Sequence, residues 1–164
     1  MSRRAVLAVA AAALAAAVGL GLWRPWREPP GDEERIATLF LAAARAVEEK
    51  RVGEAVEAVS ERYRGEGLDR RGVKQLLLAH VLRGEWVSVT VAGTRVRVEG
   101  DAAEAVVDVV LARSGKGARL SDLLPEQASA SRLACRLERE DGDWKVVSAS
   151  RRPISLAEAL AGPR

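Results

Sequence analysis

Apolar side chains recur at two different spacings, which divide most of the chain into a helical part and a strand part. Within residues 33–51 the spacing is that of a helix, and the apolar positions are Ile36, Leu39, Phe40, Ala43 and Val47. Asp32 stands where a helix N-cap is expected, and Lys50 and Arg51 suit the negative end of the helix dipole. We therefore expect a first helix over about 33–51.

Two further helices follow from the same spacing. A short one is expected over about 53–62, and Gly65 to Gly67 ends it. Asp69 is the expected cap of a third helix that ends at Gly84. Its apolar stripe is Val73, Leu76, Leu77, His80 and Val81.

From Trp86 the period becomes two, which indicates strands. Val89 and Val91 occupy odd positions, and after Gly93 the valines at 96 and 98 occupy even positions. A change of parity at a glycine is typical of a β-bulge, which bends the strand. The first strand is therefore predicted to bend near Gly93.

Three more strands complete the pattern. They are expected over 103–111, around 133–137 and over 144–149, with a loop at 114–130 and a tight turn at 141–143. The sequence from Ser155 to Glu158 has the spacing of a capping box for a short last helix. We predict an α+β domain in which three helices pack on a bent four-stranded antiparallel sheet.

An apolar segment precedes this domain. Residues 5–22 contain only Ala, Val, Leu and Gly, and as a helix they span roughly 27 Å, close to the thickness of a bilayer. Arginines and tryptophans flank the segment, as they do at membrane interfaces. The sequence predicts a membrane anchor or signal at 1–24, a stiff Pro-rich linker at 25–31 and a domain at 32–164.

Three interpretations of the apolar segment stay open. It is a retained anchor, a cleaved secretory signal with small residues such as Ala15, Ala17 and Gly19 at its end, or a soluble Ala-rich helix. Arg3 and Arg4 also resemble a twin-arginine export signal. The segment lacks a cysteine near its end, which excludes a lipoprotein anchor. We expect the domain to be extracytoplasmic, and secreted if the segment is cleaved.

The charge distribution argues against nucleic acid as a partner. The chain has 26 basic and 23 acidic side chains, and residues 1–31 contain four of the basic and one of the acidic ones. The domain therefore has 22 of each and no net charge. A nucleic-acid-binding domain carries a basic surplus.

The element order resembles the nuclear-transport-factor-2-like (cystatin-like cone) superfamily. The resemblance is carried by Val59-Ser-Glu-Arg-Tyr63, the Asp69 turn, the Glu-Gly-Asp-Ala turn at 99–102 and Leu137-Glu-Arg-Glu-Asp-Gly-Asp-Trp-Lys-Val146. It implies a conical sheet around a pocket, frequent dimers, and functions that range from isomerase to non-catalytic binding. Enzymes of the superfamily place Asp, Tyr or His inside the cone.

Four residues are candidates for a pocket. They are Tyr63, His80, Trp86 and Cys135. His80 is either a pocket base or a half-buried filler beneath the sheet. Cys135 lies between Leu133 and Leu137 on an apolar strand face, which favours a buried and unreactive thiol.

The other chemistry candidates are weaker. Tyr63 is either an acid or a wedge that closes the core, and Trp86 and Trp144 are expected to be packing residues. Asp108 alternates away from the valines beside it and is expected to face outward. One histidine and one cysteine do not make a zinc site, so no metal or other cofactor is expected. Residues 114–117 lack the remaining features of a phosphate-binding loop, and the loop to Gln127 is a candidate lid.

These observations favour a membrane-tethered, non-catalytic binding or assembly module of the cell envelope, whose partner is an envelope protein or a small apolar ligand. Two alternatives stay open. One is an isomerase, dehydratase or hydrolase that uses a pocket near His80. The other is a homodimer scaffold that uses the outer sheet face, where Val106, Val110 and Val147 lie.

Overall fold

The computed structural model describes residues 30–83, 88–113 and 128–163. Its elements belong to the compact unit Gly31–Arg164. In chain order they are α1 (Asp32–Glu48), α2 (Val52–Glu57), α3 (Arg70–Arg83), β1 (Ser88–Glu99), β2 (Ala102–Ala112), β3 (Ala128–Glu140), β4 (Asp143–Ile154) and α4 (Leu156–Ala161). The predicted anchor at 5–22, Trp86 and loop residues 114–127 lie outside the described residues. Within the described ranges, no helix has the length and apolar character needed to cross a membrane.

The four strands form one antiparallel sheet in the order β1-β2-β3-β4. The register between β1 and β2 shifts between Val91 and Gly93, which confirms the predicted bulge. Val91 and Val96 both pack against the same core, as the change of parity requires. A second shift, between Arg136 and Leu137 in the β3–β4 pairing, was not predicted.

The last two strands are longer than predicted. β3 begins at Ala128 and β4 continues to Ile154, whereas the sequence pattern predicts an end at Ala149. Residues 150–153 are exposed, so they lack the apolar alternation that marks a strand. Backbone pairing with β3, which extends to Ala130 opposite Ile154, keeps this part of the chain in the sheet.

The main core lies between α1 and the concave face of the sheet. Ile36 and Phe40 project from α1 onto this face, where they meet side chains from three strands. The most deeply buried of these are Val107 and Leu137, which like Ile36 have no exposed surface. Removing this much apolar surface from water is the main stabilising contribution to the fold.

Helix α3 packs less deeply than its predicted apolar stripe implies. It contains no buried residue, and Leu76, which belongs to the stripe, is 48% exposed. Val73 does pack against the core. Leu76 lies at the margin of the stripe, so a helix that touches the core along only the middle of that stripe leaves it in solvent.

The C-terminal segment covers part of the outer face of the sheet. Helix α4 begins with the predicted capping box between Ser155 and Glu158, and it covers the buried side chains of Val110 and Ala130. Asp108 faces this side, as expected, but it has no exposed surface. Arg132 binds both carboxylate oxygens of Asp108, at 2.7 and 2.8 Å, and also donates to the Gly162 carbonyl at 3.3 Å.

Candidate binding cleft

A cleft of about 370 Å³ lies between α1, α2 and the β3–β4 turn. This volume is near the lower end of the range for small-molecule pockets. Its floor is apolar and is formed by Leu39, Ala42, Ala43, Ala46 and Ala58. Alanine side chains end at Cβ, so this face of α1 leaves space between the helix and the hairpin. We refer to this feature as the alanine cleft.

Charged groups of both signs form the rim of the alanine cleft. Arg35 and Lys145 supply the cations, and Glu54, Glu57 and Asp143 supply the carboxylates. The Lys145 ammonium donates to the backbone carbonyl of Glu57 at 2.7 Å, which ties β4 to the end of α2. The cleft therefore offers an apolar floor and hydrogen-bonding groups of both charges.

Asp32 fixes the hairpin against the start of α1. The sequence suggests that Asp32 is the N-cap, but this prediction is wrong: Gly31 is the cap and Asp32 lies in the first turn. Its carboxylate accepts hydrogen bonds from Arg139 at 2.7 Å and from the indole of Trp144 at 3.1 Å. These two bonds, Arg139 first, lower the pKa of Asp32.

The same contacts hold the tryptophan in place. The Arg139 guanidinium lies 4.5 Å from the centre of the Trp144 ring, a cation–π distance. Trp144 is buried and lines the cleft. It is thus a packing residue, as expected, and also a wall of the cleft.

A second tie holds the end of β3 to the segment after α2. Glu140 accepts a hydrogen bond from the Ser60 hydroxyl at 2.7 Å and from Arg62 at 2.7 Å. The bond from Ser60, and then that from Arg62, lowers the pKa of Glu140. The hairpin is therefore attached both to the start of α1 and to the segment after α2, and these bonds hold the walls of the cleft in place.

Two of the four predicted pocket residues lie in the core and not in the cleft. Tyr63 and Cys135 are both buried in the main core cluster. Burial raises the pKa of Cys135 to about 12, which keeps the thiol protonated. Burial, and then the nearby Cys135 and Glu66, raises the pKa of Tyr63, against a hydrogen bond with the Ala149 backbone.

Of the other two predicted pocket residues, the structure describes His80. It is half-buried on α3 and does not line the alanine cleft. Trp86 lies outside the described residues. Among the residues that the structure describes, no group of three His, Cys, Asp or Glu side chains is placed to hold a metal ion.

The residues that form the alanine cleft were missed as site residues. Asp32, in α1, lies more than one hundred positions before Arg139 and Trp144, its two partners in the last hairpin. The only sequence signal was indirect, because a run of alanines in an otherwise apolar helix stripe leaves space that a neighbour does not fill.

The chain is similar to several solved structures, although no family model and no curated protein matches it. An NTF2-like protein with a cystatin-like fold from Novosphingobium aromaticivorans is 19% identical, with 87% of this chain and 88% of that one covered and a TM-score of 0.59. The chain has the nuclear-transport-factor-2-like fold. A cystatin-like-fold protein of unknown function from Nostoc punctiforme gives a TM-score of 0.58 at 10% identity, covering 75% and 91%. An NTF2-like protein of unknown function from Pseudomonas putida gives 0.56 at 15% identity, covering 73% and 84%.

Proposed function

We propose that this protein is a membrane-tethered, non-catalytic binding or assembly module of the cell envelope, and that it binds its partner in the alanine cleft. The observation that carries the proposal is a cleft whose walls are fixed by Asp32 and Glu140. By contrast, the potentially reactive Tyr63 and Cys135 are packed into the core, away from this cleft.

The composition of the cleft indicates the kind of partner. An apolar floor of small side chains accepts a narrow apolar group. The cations of the rim can donate hydrogen bonds to backbone carbonyls, and its carboxylates can accept them from backbone N–H groups. A short apolar segment of an envelope protein has these properties, and so does a small apolar ligand with polar ends. We favour the protein segment, because a tethered domain has a high effective concentration toward neighbouring membrane proteins.

The tether is tested first. The full chain with a C-terminal tag is expressed in a bacterial host, and membranes are separated from the soluble fraction. We expect the tag to be found in the membrane fraction. We also expect protease added to intact spheroplasts to degrade the tag. Soluble full-length protein in the cytoplasm contradicts the proposal.

The cleft is tested by filling it. Ala42→Phe places a ring on the cleft floor, whereas Leu41→Phe enlarges a neighbouring exposed side chain on the same helix. A photoreactive amino acid at Arg35, on the rim, is expected to give a discrete crosslinked product in intact envelopes. This product should be lost in Ala42→Phe and kept in Leu41→Phe. Small-molecule turnover that His80→Ala abolishes supports the enzyme alternative instead.

A homodimer scaffold is the second candidate. The middle of the outer sheet face carries small or half-buried side chains, where Val106 pairs with Ala134 and Ala134 pairs with Ser150. A surface of small side chains allows a second copy to approach closely. Sedimentation of the purified chain should then show a dimer that Ala134→Arg dissociates. Part of this face is unavailable, since α4 covers Val110.

A further inference from the structure

Helix α3 has a second stripe on the side opposite its predicted one. At about 100° per residue, positions spaced three, four, seven and eleven apart share one face of a helix. The residues in this stripe are exposed: Arg71, Lys74, Gln75, Leu78 and Leu82. Leu82 is 84% exposed and Leu78 is 39% exposed. We refer to this stripe as the basic leucine face.

The cations of the basic leucine face have no acidic side chain within their own helix. Helix α3 contains no Asp or Glu, although the domain as a whole has equal numbers of acidic and basic side chains. Arg70 is turned away, because it binds the Glu61 carboxylate and the Val56 carbonyl. Arg71 and Lys74 are the cations beside the two leucines.

Exposed leucines beside cations are suited to the surface of a membrane, which has an apolar interior below a layer of phosphate headgroups. Leucines gain by entering the boundary between headgroups and acyl chains, and cations gain near anionic phosphate groups. We propose that the basic leucine face docks onto the anionic phospholipid surface of the membrane that holds the anchor. This inference rests on the tether in the proposed function, which supplies the bilayer.

The tether also explains why so small a contact is sufficient. Two leucines and two cations bind a bilayer weakly, and a freely diffusing domain with only these contacts dissociates readily. An anchored domain does not pay the cost of association from solution, because its linker keeps it at high local concentration. The contact therefore sets the orientation of the domain and is not needed to hold the protein at the membrane.

The test places a polarity-sensitive fluorophore on the face. The full chain with Leu82→Cys is labelled and reconstituted in vesicles of phosphatidylcholine alone or of phosphatidylcholine with phosphatidylglycerol. The native Cys135 is buried, so unsubstituted protein serves as the labelling blank. We expect a blue shift and brighter emission in the anionic vesicles, both lost at high salt.

Two variants complete the test. Arg71→Ala with Lys74→Ala should abolish the shift at position 82 in anionic vesicles. The same label at Leu160→Cys, a leucine of α4 that is 54% exposed, should give one spectrum in both lipids. Equal spectra for position 82 in the two lipids overturn the proposal. So does a shift that follows protein density and not lipid charge, since that indicates a protein partner.

Failure of the tether is distinguished by a separate measurement. Resistance of the reconstituted chain to alkaline carbonate extraction reports insertion of the anchor, independently of the label. If the chain is extracted, the tether is wrong. The labelled protein is then titrated with preformed vesicles up to high lipid concentration, because the untethered face binds weakly. A shift in anionic lipid supports the face alone, and no shift even at the highest lipid concentration overturns it.

Discussion

Asp108 is a carboxylate without exposed surface, and Arg132 compensates its burial by binding both oxygens. Moving a charge out of water costs several kcal/mol, and paired hydrogen bonds recover this cost only when both partners are present. The intact pair therefore adds little net stability, but the loss of either partner destabilises the fold. Because Arg132 also donates to the Gly162 carbonyl, the loss of Arg132 would also release the C-terminal segment.

We expect Asp108→Ala to destabilise the domain by about 3 kcal/mol, because it leaves the Arg132 charge partly buried without its partner. Arg136→Ala, on the same face of β3, removes only an exposed contact with Glu138 and should change the stability by less than about 0.5 kcal/mol. Urea unfolding followed by circular dichroism measures both. Equal losses in the two variants contradict this account.

Asp32 predicts a pH dependence. Its pKa is lower in the folded state than its ordinary value, so its contribution is present above about pH 4 and is lost as the pH falls below that. Asp32→Asn should lower the urea midpoint at pH 7, and this difference should vanish toward pH 2. Asp101→Asn is the control, since Asp101 contacts the same Arg139 but is exposed. If the urea midpoint of Asp32→Asn is lowered equally at every pH, the charge of Asp32 is not what stabilises the fold.

Among the elements, α4 and the bulge in β1 depend on each other. Gly93 lies at the bulge, and a Cβ there would stand 2.8 Å from Cδ of Pro163, just after α4. The missing side chain lets the C-terminal segment pass close to the sheet and cover the Asp108–Arg132 pair. The bend in β1 and the position of α4 thus have one origin.

Gly93→Ala should destabilise the domain by about 1–3 kcal/mol, because the new methyl group displaces the C-terminal segment. Gly53→Ala should stabilise it by about 0.5–1 kcal/mol, since Gly53 lies inside α2 and a Cβ there meets nothing within 4 Å. Thermal unfolding of the two variants should shift in opposite directions. Adding Pro163→Gly should restore part of the stability that Gly93→Ala loses. If it does not, the contact with Pro163 is not the source of the loss.

The elements that sequence predicts well are those whose signal is local. The bulge follows from the parity of four valines, and the α4 start follows from Ser155 and Glu158. Helix α3 was harder, because its sequence supports two stripes on opposite faces and only packing selects the one that contacts the core. The alanine cleft depends on contacts across most of the chain, such as Asp32 with Trp144, which leave no local pattern.

At the scale of the whole molecule, Cys135 reports on global unfolding. It lies in β3, paired with Ala105 on one side and Ala149 on the other. Its pKa of about 12 reduces the thiolate at pH 8 by about a thousandfold relative to an ordinary cysteine. The thiol becomes reactive only when the sheet opens.

We therefore expect alkylation of Cys135 at pH 8 to proceed at a rate set by unfolding, and to accelerate with urea in proportion to the unfolded population. Ala134→Cys in a Cys135→Ser background places a thiol one residue away on the exposed face. That thiol should react at once. Mass spectrometry over time measures both rates. Rapid native modification of Cys135 means that the core opens locally.

The two edges of the sheet differ in a way that limits how copies can join. The backbone of β4 is already bonded to the segment after α2, through Ser60 N–H to the Val146 carbonyl at 2.9 Å and Arg64 N–H to the Val147 carbonyl at 3.0 Å. Among the described residues, this stretch of β4 is therefore closed to strand addition, whereas β1 is the edge without a neighbouring strand or bonded segment along most of its length. Two copies that pair through β1 use up that edge in both, so this mode of strand pairing stops at two copies.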